Sequence, residues 1–194
     1  NVVNNLAALG ARVSVAGVVG TGADGRRMLE LFAALGADTR GVVQDEERPT
    51  TRKTRVIASH QHVLRIDRET RRAIAGASFE RLAAFLETAV PEADVVLLSD
   101  YDKGLVTPAL VQRLAEVARR HGRPVIVDPK GLDFTKYRGV TLITPNRKEA
   151  SLASGIEIVD AATLDAAAAR LMDLVQLEKL LITRGKDGMV LFDR

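Results

Sequence analysis

Val125-Ile126-Val127-Asp128-Pro129-Lys130-Gly131 is a short, β-branched, continuously apolar run that stops on a carboxylate, a proline and a lysine. Nothing in it alternates, so it reads as a strand buried on both faces. The same design recurs at Val95–Ser99, Thr141–Thr144 and Leu180–Thr183. Amphipathic helical patterns at Pro108–His121, Lys148–Ser154 and Leu164–Leu174 separate these runs. Thr107 before Pro108, and Thr163 before a run of alanines, supply start signals. Buried strands alternating with helices specify an α/β fold, a doubly wound, mostly parallel sheet with helices on both faces. Toward the N-terminus the pattern adds strands at Val13–Val19 and Gly41–Val43 and helices at Gly25–Leu35 and Phe79–Ala89. Toward the C-terminus it adds a strand at Met189–Phe192.

One segment breaks the rhythm. From Gln44 to Asp67 the chain is charged, with Thr51, Lys53 and Arg55 ahead of Ile57 and with apolar and charged residues alternating from Val63 to Asp67. A half-exposed antiparallel hairpin fits this better than a buried strand, and it reads as a small β flap at about 44–67 on the main sheet. No repeat or long linker divides the chain, so residues 1–194 read as one domain.

The 194 residues can bury roughly 70% of the unfolded surface, enough for a core without staples. The absence of cysteine excludes disulfide scaffolds, cysteine nucleophiles and thiolate metal sites. The net charge of +3 comes from scattered cations, and only 4% of residues are aromatic, which argues against nucleic acid as a partner. Arg12 interrupts the best apolar stretch, Leu6 to Val19, so no membrane partner is expected and the location is expected to be cytoplasmic. Asn1 is not Met and the chain stops at Arg194 soon after an apolar run, so truncation at both ends is expected.

In open parallel sheets ligands bind beyond the carboxyl ends of the strands. Here those ends carry Asp100, Asp102 and Lys103; Asp128 and Lys130; Asn146, Arg147, Lys148 and Glu149; and Arg184, Lys186 and Asp187. Any one of these turns is explained by turn chemistry and helix capping. Four together, with Lys130, Lys148 and Lys186 among them, point to an anionic ligand. Gly20-Thr21-Gly22-Ala23-Asp24-Gly25 also has the spacing of a dinucleotide loop, with Asp45 20 residues beyond Gly25. Asp45, however, starts a charged run where the tip of a buried strand is required, and Arg26-Arg27 replaces the Lys-Ser/Thr of a P-loop, so a structural turn is preferred. His60 and His62 lack a third partner for a metal, and His121 sits at a helix end beside Gly122, where a cation suits the dipole.

The segments R-P-T-T-R-K-T-R-V, L-R-I-D, L-L-S-D-Y-D-K-G, V-D-P-K-G-L-D-F-T-K-Y-R-G, L-I-T-P-N-R-K-E and I-T-R-G-K-D-G-M resemble, in order, the ribokinase-type (PfkB) carbohydrate kinases. Within them the likeness is greatest to the heptose 7-phosphate kinases of bacterial lipopolysaccharide synthesis. Asn1, Gly10 and Gly20 match the N-terminal signature of these kinases, and Val3 departs from it. The resemblance implies ATP-dependent phosphoryl transfer to a sugar phosphate, with ATP and Mg²⁺ as cofactors, a β lid formed by the flap, and a homodimer. It implies sugar-phosphate contacts from Asn1, Arg65, Asp67, Asp100 and Lys130. Each has an ordinary reading beside this: Arg65 and Asp67 as a pair on an exposed sheet, Lys130 as a solvated turn residue. It further implies nucleotide contacts from Asn146, Arg147, Lys148 and Glu149 and from Thr183, Gly185 and Gly188, with Glu149 reaching Mg²⁺ through water. A kinase acting on another sugar, or a ligand-binding fragment, is the alternative reading. The base of these kinases is the Asp of a Gly-Ala-Gly-Asp motif. None of the pairs Gly10-Ala11, Gly22-Ala23, Gly36-Ala37 and Gly76-Ala77 continues into that motif. The base is therefore expected beyond Arg194, and residues 1–194 alone are expected to be inactive.

Overall fold

The computed structural model describes residues 1–58 and 61–194, so the reading of His60 and of the His62 side chain lies outside the described residues. The chain divides into two compact units, Asn1–Leu86 with Lys103–Leu105, and Glu87–Asp102 with Val106–Arg194.

The first unit contains α1 (Val2–Ala8), β1 (Ser14–Gly20), α2 (Ala23–Ala34), β2 (Asp38–Asp45), β3 (Arg52–Ala58) and β4 (Gln61–Arg68). Strands β1 and β2 pair in parallel, with Gly17 opposite Val42 and Gly20 opposite Asp45. Val19, Val42, Val43, Leu82 and Leu86 are buried here. At Gly41 a Cβ would come within 2.5 Å of the Phe85 ring, so glycine lets α3 (Gly76–Glu92) pack closely against β2.

Strands β3 and β4 form the expected hairpin, as an antiparallel sheet of their own. It starts at Arg52, later than the Gln44 of the sequence reading, because β2 continues to Asp45. Alternation puts the Lys53–Asp67 and Arg55–Arg65 pairs on one face and the Thr54–Ile66 and Val56–Leu64 pairs on the other. Both faces meet solvent: Val56, Leu64 and Ile66 are all exposed, Ile66 by 57%. At the base of the hairpin the Lys103 ammonium lies 2.7 Å from Glu69, and Lys53 lies 3.8 Å from both Asp67 and Glu69. The guanidinium of Arg48 is buried and donates to the carbonyls of Arg72 and Lys103.

The second unit holds a five-stranded sheet in sequence order: β5 (Val96–Ser99), β6 (Val125–Asp128), β7 (Leu142–Ile143), β8 (Lys179–Thr183) and β9 (Met189–Asp193). The first four strands are parallel. The last is antiparallel to β8, so the sheet is mostly parallel, as the residue pattern implies. Only the turn Arg184–Gly188 joins β8 to β9, far short of the dozen or more residues that a parallel crossover requires. The helices are α4 (Pro108–Arg120), α5 (Arg147–Ser154) and α6 (Ala161–Val175). On α4, Leu110, Val111, Leu114, Val117 and Ala118 recur at helical spacing and are buried, each worth about 1.5–3 kcal/mol for a full Val or Leu side chain. Thr107 caps α4 by accepting the Leu110 N–H at 3.2 Å, as the Thr-Pro signal implies. The cap of α6 is Asp160 and not Thr163; Thr163 is the third helical residue and returns the bond to the Asp160 N–H, completing a capping box.

Candidate active site

Because β5 to β8 run in parallel, their carboxyl ends lie along one edge. The main chain stitches this edge together: Asp100 N–H donates to the Asp128 carbonyl at 3.0 Å, and Thr144 N–H to Val127 at 2.8 Å. Thr183 N–H donates to Pro145 at 3.0 Å, and a parallel bridge joins Asn146 to Thr183. The Asn146–Glu149 and Thr183–Gly188 segments, apart in sequence, are therefore neighbours.

Asn146 begins α5 with a capping box. Its Oδ1 accepts the Glu149 N–H at 3.0 Å, while Glu149 Oε2 accepts the Asn146 N–H at 3.1 Å. Arg147 and Lys148 are exposed on the first turn of the helix. The other Glu149 oxygen, Oε1, accepts the Lys130 ammonium at 2.6 Å. That bond, followed by the Glu149 charge, holds the Lys130 pKa above the usual lysine value. Asp128 is pushed the opposite way for an acid. Desolvation at the strand end, then the negative charge of Glu149, raise its pKa. Gly185 and Gly188 both have positive φ, and no atom lies within 4 Å of where a Cβ would sit at either position. The turn is closed by Arg184 N–H donating to the Gly188 carbonyl at 2.8 Å.

Asp100 is buried and fully engaged. Its Oδ2 accepts the Lys136 ammonium and the Tyr137 hydroxyl, each at 2.6 Å, and its Oδ1 accepts the Asp102 N–H at 2.8 Å. Tyr137 and Phe134 are wholly buried and meet edge to face at 5.8 Å. Burial, then the bond to Asp100, raise the Tyr137 pKa far above the usual phenol, so the hydroxyl keeps its proton. Sequence reasoning passed over Lys136 and Tyr137, although an aromatic residue inside a polar turn-forming stretch was the available signal.

The remaining sugar-side candidates lie in the first unit. Asn1 is exposed as the N-terminal cap residue of α1, with no side-chain capping bond. Arg65 and Asp67 meet on the charged face of the hairpin, with Nε donating to Oδ1 at 2.8 Å.

The dinucleotide reading fails for a different reason from the one expected. Asp45 does end β2, beside Gly20 at the end of β1, where such a loop would need its acid. Its Oδ2 accepts the Ser78 hydroxyl at 2.8 Å, however, and its Oδ1 the Glu47 N–H at 2.9 Å. The glycines are filled by the chain itself: Cβ atoms at Gly20 and Gly25 would lie 2.5 Å from the Arg48 carbonyl and 1.8 Å from the Gly20 carbonyl, respectively.

Magnesium prefers oxygen donors, and when it arrives with a nucleotide it needs only one or two carboxylates, the rest of its shell being phosphate and water. Glu149 and Asp128 fit that demand, since each carries charge that the other would share with a cation. Among the described residues no group of three or more His, Asp or Glu could hold a metal ion by itself, and no helix is long and apolar enough to cross a membrane.

Comparison with known proteins gives a consistent assignment. A family profile described as "pfkB family carbohydrate kinase" matches residues 1–194. "Bifunctional protein HldE" of Desulfatibacillum aliphaticivorans is 52% identical over 192 residues, covering 99% of this chain and 39% of that protein. Its counterpart in Geobacter metallireducens is 51% identical over 194 residues, covering 100% and 40%. The chain thus spans about two fifths of the length of the curated relatives it matches. Among solved structures, Arabidopsis thaliana ribokinase complexed with ribose and ATP superposes with a TM-score of 0.74 at 20% identity, covering 97% of this chain and 60% of the other. Phosphofructokinase-2 from Escherichia coli in complex with fructose-6-phosphate gives 0.71 at 20% identity, covering 98% and 63%. The fold is ribokinase-like.

Proposed function

Because the chain belongs to the pfkB family of carbohydrate kinases, we propose that it is the sugar- and nucleotide-binding part of an ATP-dependent heptose 7-phosphate kinase. The acceptor is the anomeric hydroxyl of D-glycero-D-manno-heptose 7-phosphate, and the product is the 1,7-bisphosphate used for ADP-heptose and lipopolysaccharide core synthesis in the cytoplasm. The choice of sugar rests on the roughly half-identical relatives named bifunctional protein HldE. The observation that carries the nucleotide assignment is the Asn146–Thr183 bridge, which brings an N-x-x-E helix start beside a glycine turn open to solvent.

Phosphoryl transfer requires in-line positioning and compensation of charge on the phosphate oxygens. Magnesium bound with the nucleotide supplies positive charge at those oxygens. Glu149 and Asp128 would hold that ion, Glu149 through water. Lys130, expected on the sugar-phosphate side, is assigned instead to the nucleotide because it pairs with Glu149; its side chain is 53% exposed, so it can turn from carboxylate to phosphate. Thr183, Gly185 and Gly188 would line the nucleotide, with Arg147 and Lys148 flanking it, and the lack of a Cβ at the glycines lets a ligand approach the main chain. Asn1, Arg65 and Asp67 are assigned to the sugar phosphate, with the β3–β4 hairpin as lid. Asp100, its oxygens taken by three donors, serves this edge by holding the 130–137 segment. No residue of 1–194 is assigned as the base.

The apolar face of the hairpin, Val56, Leu64 and Ile66, is proposed as the contact between two copies in a homodimer, because a two-stranded sheet with both faces in water is marginal alone. The test of function is phosphorus NMR of the full-length protein with ATP and heptose 7-phosphate. A new anomeric phosphate resonance is expected, and faster turnover of ribose or fructose 6-phosphate would overturn the choice of sugar.

A further inference from the structure

The Tyr137 hydroxyl is wholly buried and joins two strand ends and a 3₁₀ turn. It donates to Asp100 Oδ2 at 2.6 Å, at the end of β5, and accepts the Lys130 N–H at 2.9 Å, two residues past the end of β6. Its oxygen also lies 3.2 Å from the Lys130 carbonyl. Both main-chain polar atoms of Lys130 are thus within reach of one side chain that cannot move, because Tyr137 is wedged against Phe134 and tied to a buried carboxylate. Lys136 holds the second lone pair of the same carboxylate oxygen, and its ammonium lies 5.0 Å from the Tyr137 ring centroid. The Lys130 side chain is the reverse of its main chain: it is more than half exposed and bound only at its tip, to Glu149.

We propose that Tyr137 is a positioning residue for the phosphate-facing edge. It pins the main chain of Lys130, so that the long side chain pivots from one fixed point between Glu149 and a bound phosphate. The inference rests on the nucleotide reading of Glu149 given above. A pinned main chain fixes where the ammonium can reach, and charge-assisted contacts to phosphate depend steeply on such placement. Burial of the phenol, with Asp100 as its acceptor, keeps the proton in place through the physiological range, so the pin does not titrate.

The experiment measures binding of magnesium-ATP to the full-length protein by calorimetry, for wild type, Tyr137→Phe, Lys130→Met and the double variant, with thermal unfolding recorded for each. Y137F and K130M are each expected to weaken ATP binding about tenfold, the worth of one hydrogen bond to a charged group. The double variant is expected to be no weaker than either single one, because the tyrosine acts through the lysine. ATP affinity of Y137F within twofold of wild type, or single losses that multiply in the double variant, would overturn the proposal. If Y137F does not fold, Asp100→Asn takes its place; it keeps an acceptor for the hydroxyl but removes the charge. A loss of about threefold that K130M does not deepen then supports the proposal, and unchanged affinity overturns it. Failure of wild type to bind ATP would instead sink the nucleotide reading, so the two failures are distinguishable.

Discussion

The Lys130 ammonium rests 2.6 Å from Oε1 of Glu149, whose other oxygen accepts the first N–H of the same capping box. One carboxylate therefore starts a helix and holds a cation at a strand end. Removing Asn146 tests the first duty separately. Asn146→Ala leaves Lys130 and Glu149 in place but opens the box, and a loss of about 1 kcal/mol in denaturant unfolding is expected. Unchanged stability would mean that α5 is held by its packing alone.

The raised pKa of Asp128 makes stability depend on pH. The folded-state pKa of Asp128 is raised above its ordinary 3.8, so its favourable contribution is present below that value and is lost as pH rises through the folded pKa. Asp128→Asn removes the penalty. The variant is expected to be more stable than wild type at pH 7 by about 0.5 kcal/mol, a small gain because the group also faces solvent. The gain should vanish below pH 3.8, where both side chains are neutral. Thermal unfolding at the two pH values decides it, and a destabilised variant at neutral pH would contradict the sign. Its ATP binding should weaken, a separation of stability from function.

Gly22 and Gly25 distinguish a packed turn from a cofactor loop. Gly25→Ala drives a Cβ into the Gly20 carbonyl, and a loss of more than about 3 kcal/mol is expected. Gly22→Ala meets nothing within 4 Å and should stay within about 0.5 kcal/mol, with ATP binding intact. Loss of nucleotide binding in a stable G22A protein would restore this loop to a ligand role.

The hairpin predicts its own assembly state. Leu64→Asp or Ile66→Asp puts a charge on the exposed apolar face without touching a buried residue. Sedimentation of the full-length variants is expected to show monomers where wild type is dimeric. A dimer that survives both substitutions would place the contact elsewhere.

Much of this architecture could be read from residue pattern. The strands of the second unit were recognisable because apolar β-branched runs such as Val125–Val127 have no polar alternation, and Thr107-Pro108 marked a helix start through local chemistry alone. Helix α1 was missed: Val2 and Val3 are β-branched, Asn4 and Asn5 favour caps and turns, and none of its residues is buried to give a period. The cap of α6 was misplaced at Thr163 because Asp160 and Thr163 exchange bonds, and either could be the first residue. The antiparallel direction of β9 follows from the brevity of Arg184–Gly188, and a mostly parallel sheet leaves room for it. At the site, Asn146, Glu149, Thr183 and Lys130 stood at strand ends in plain sequence. The network around Tyr137 did not, because a tyrosine declares its hydroxyl partners only when strands distant in sequence lie side by side.

The capping box at Asn146–Glu149 has one more consequence. The residues that begin α5 are also those assigned to the nucleotide, so the segment has no spare position at which one duty can drift while the other is kept. Asn146→Ser keeps a cap oxygen and the return bond from the main chain to Glu149, whereas Glu149→Ala would remove that return bond and the anion that holds Lys130 in one change. Selection on folding and selection on chemistry would therefore act on the same two side chains.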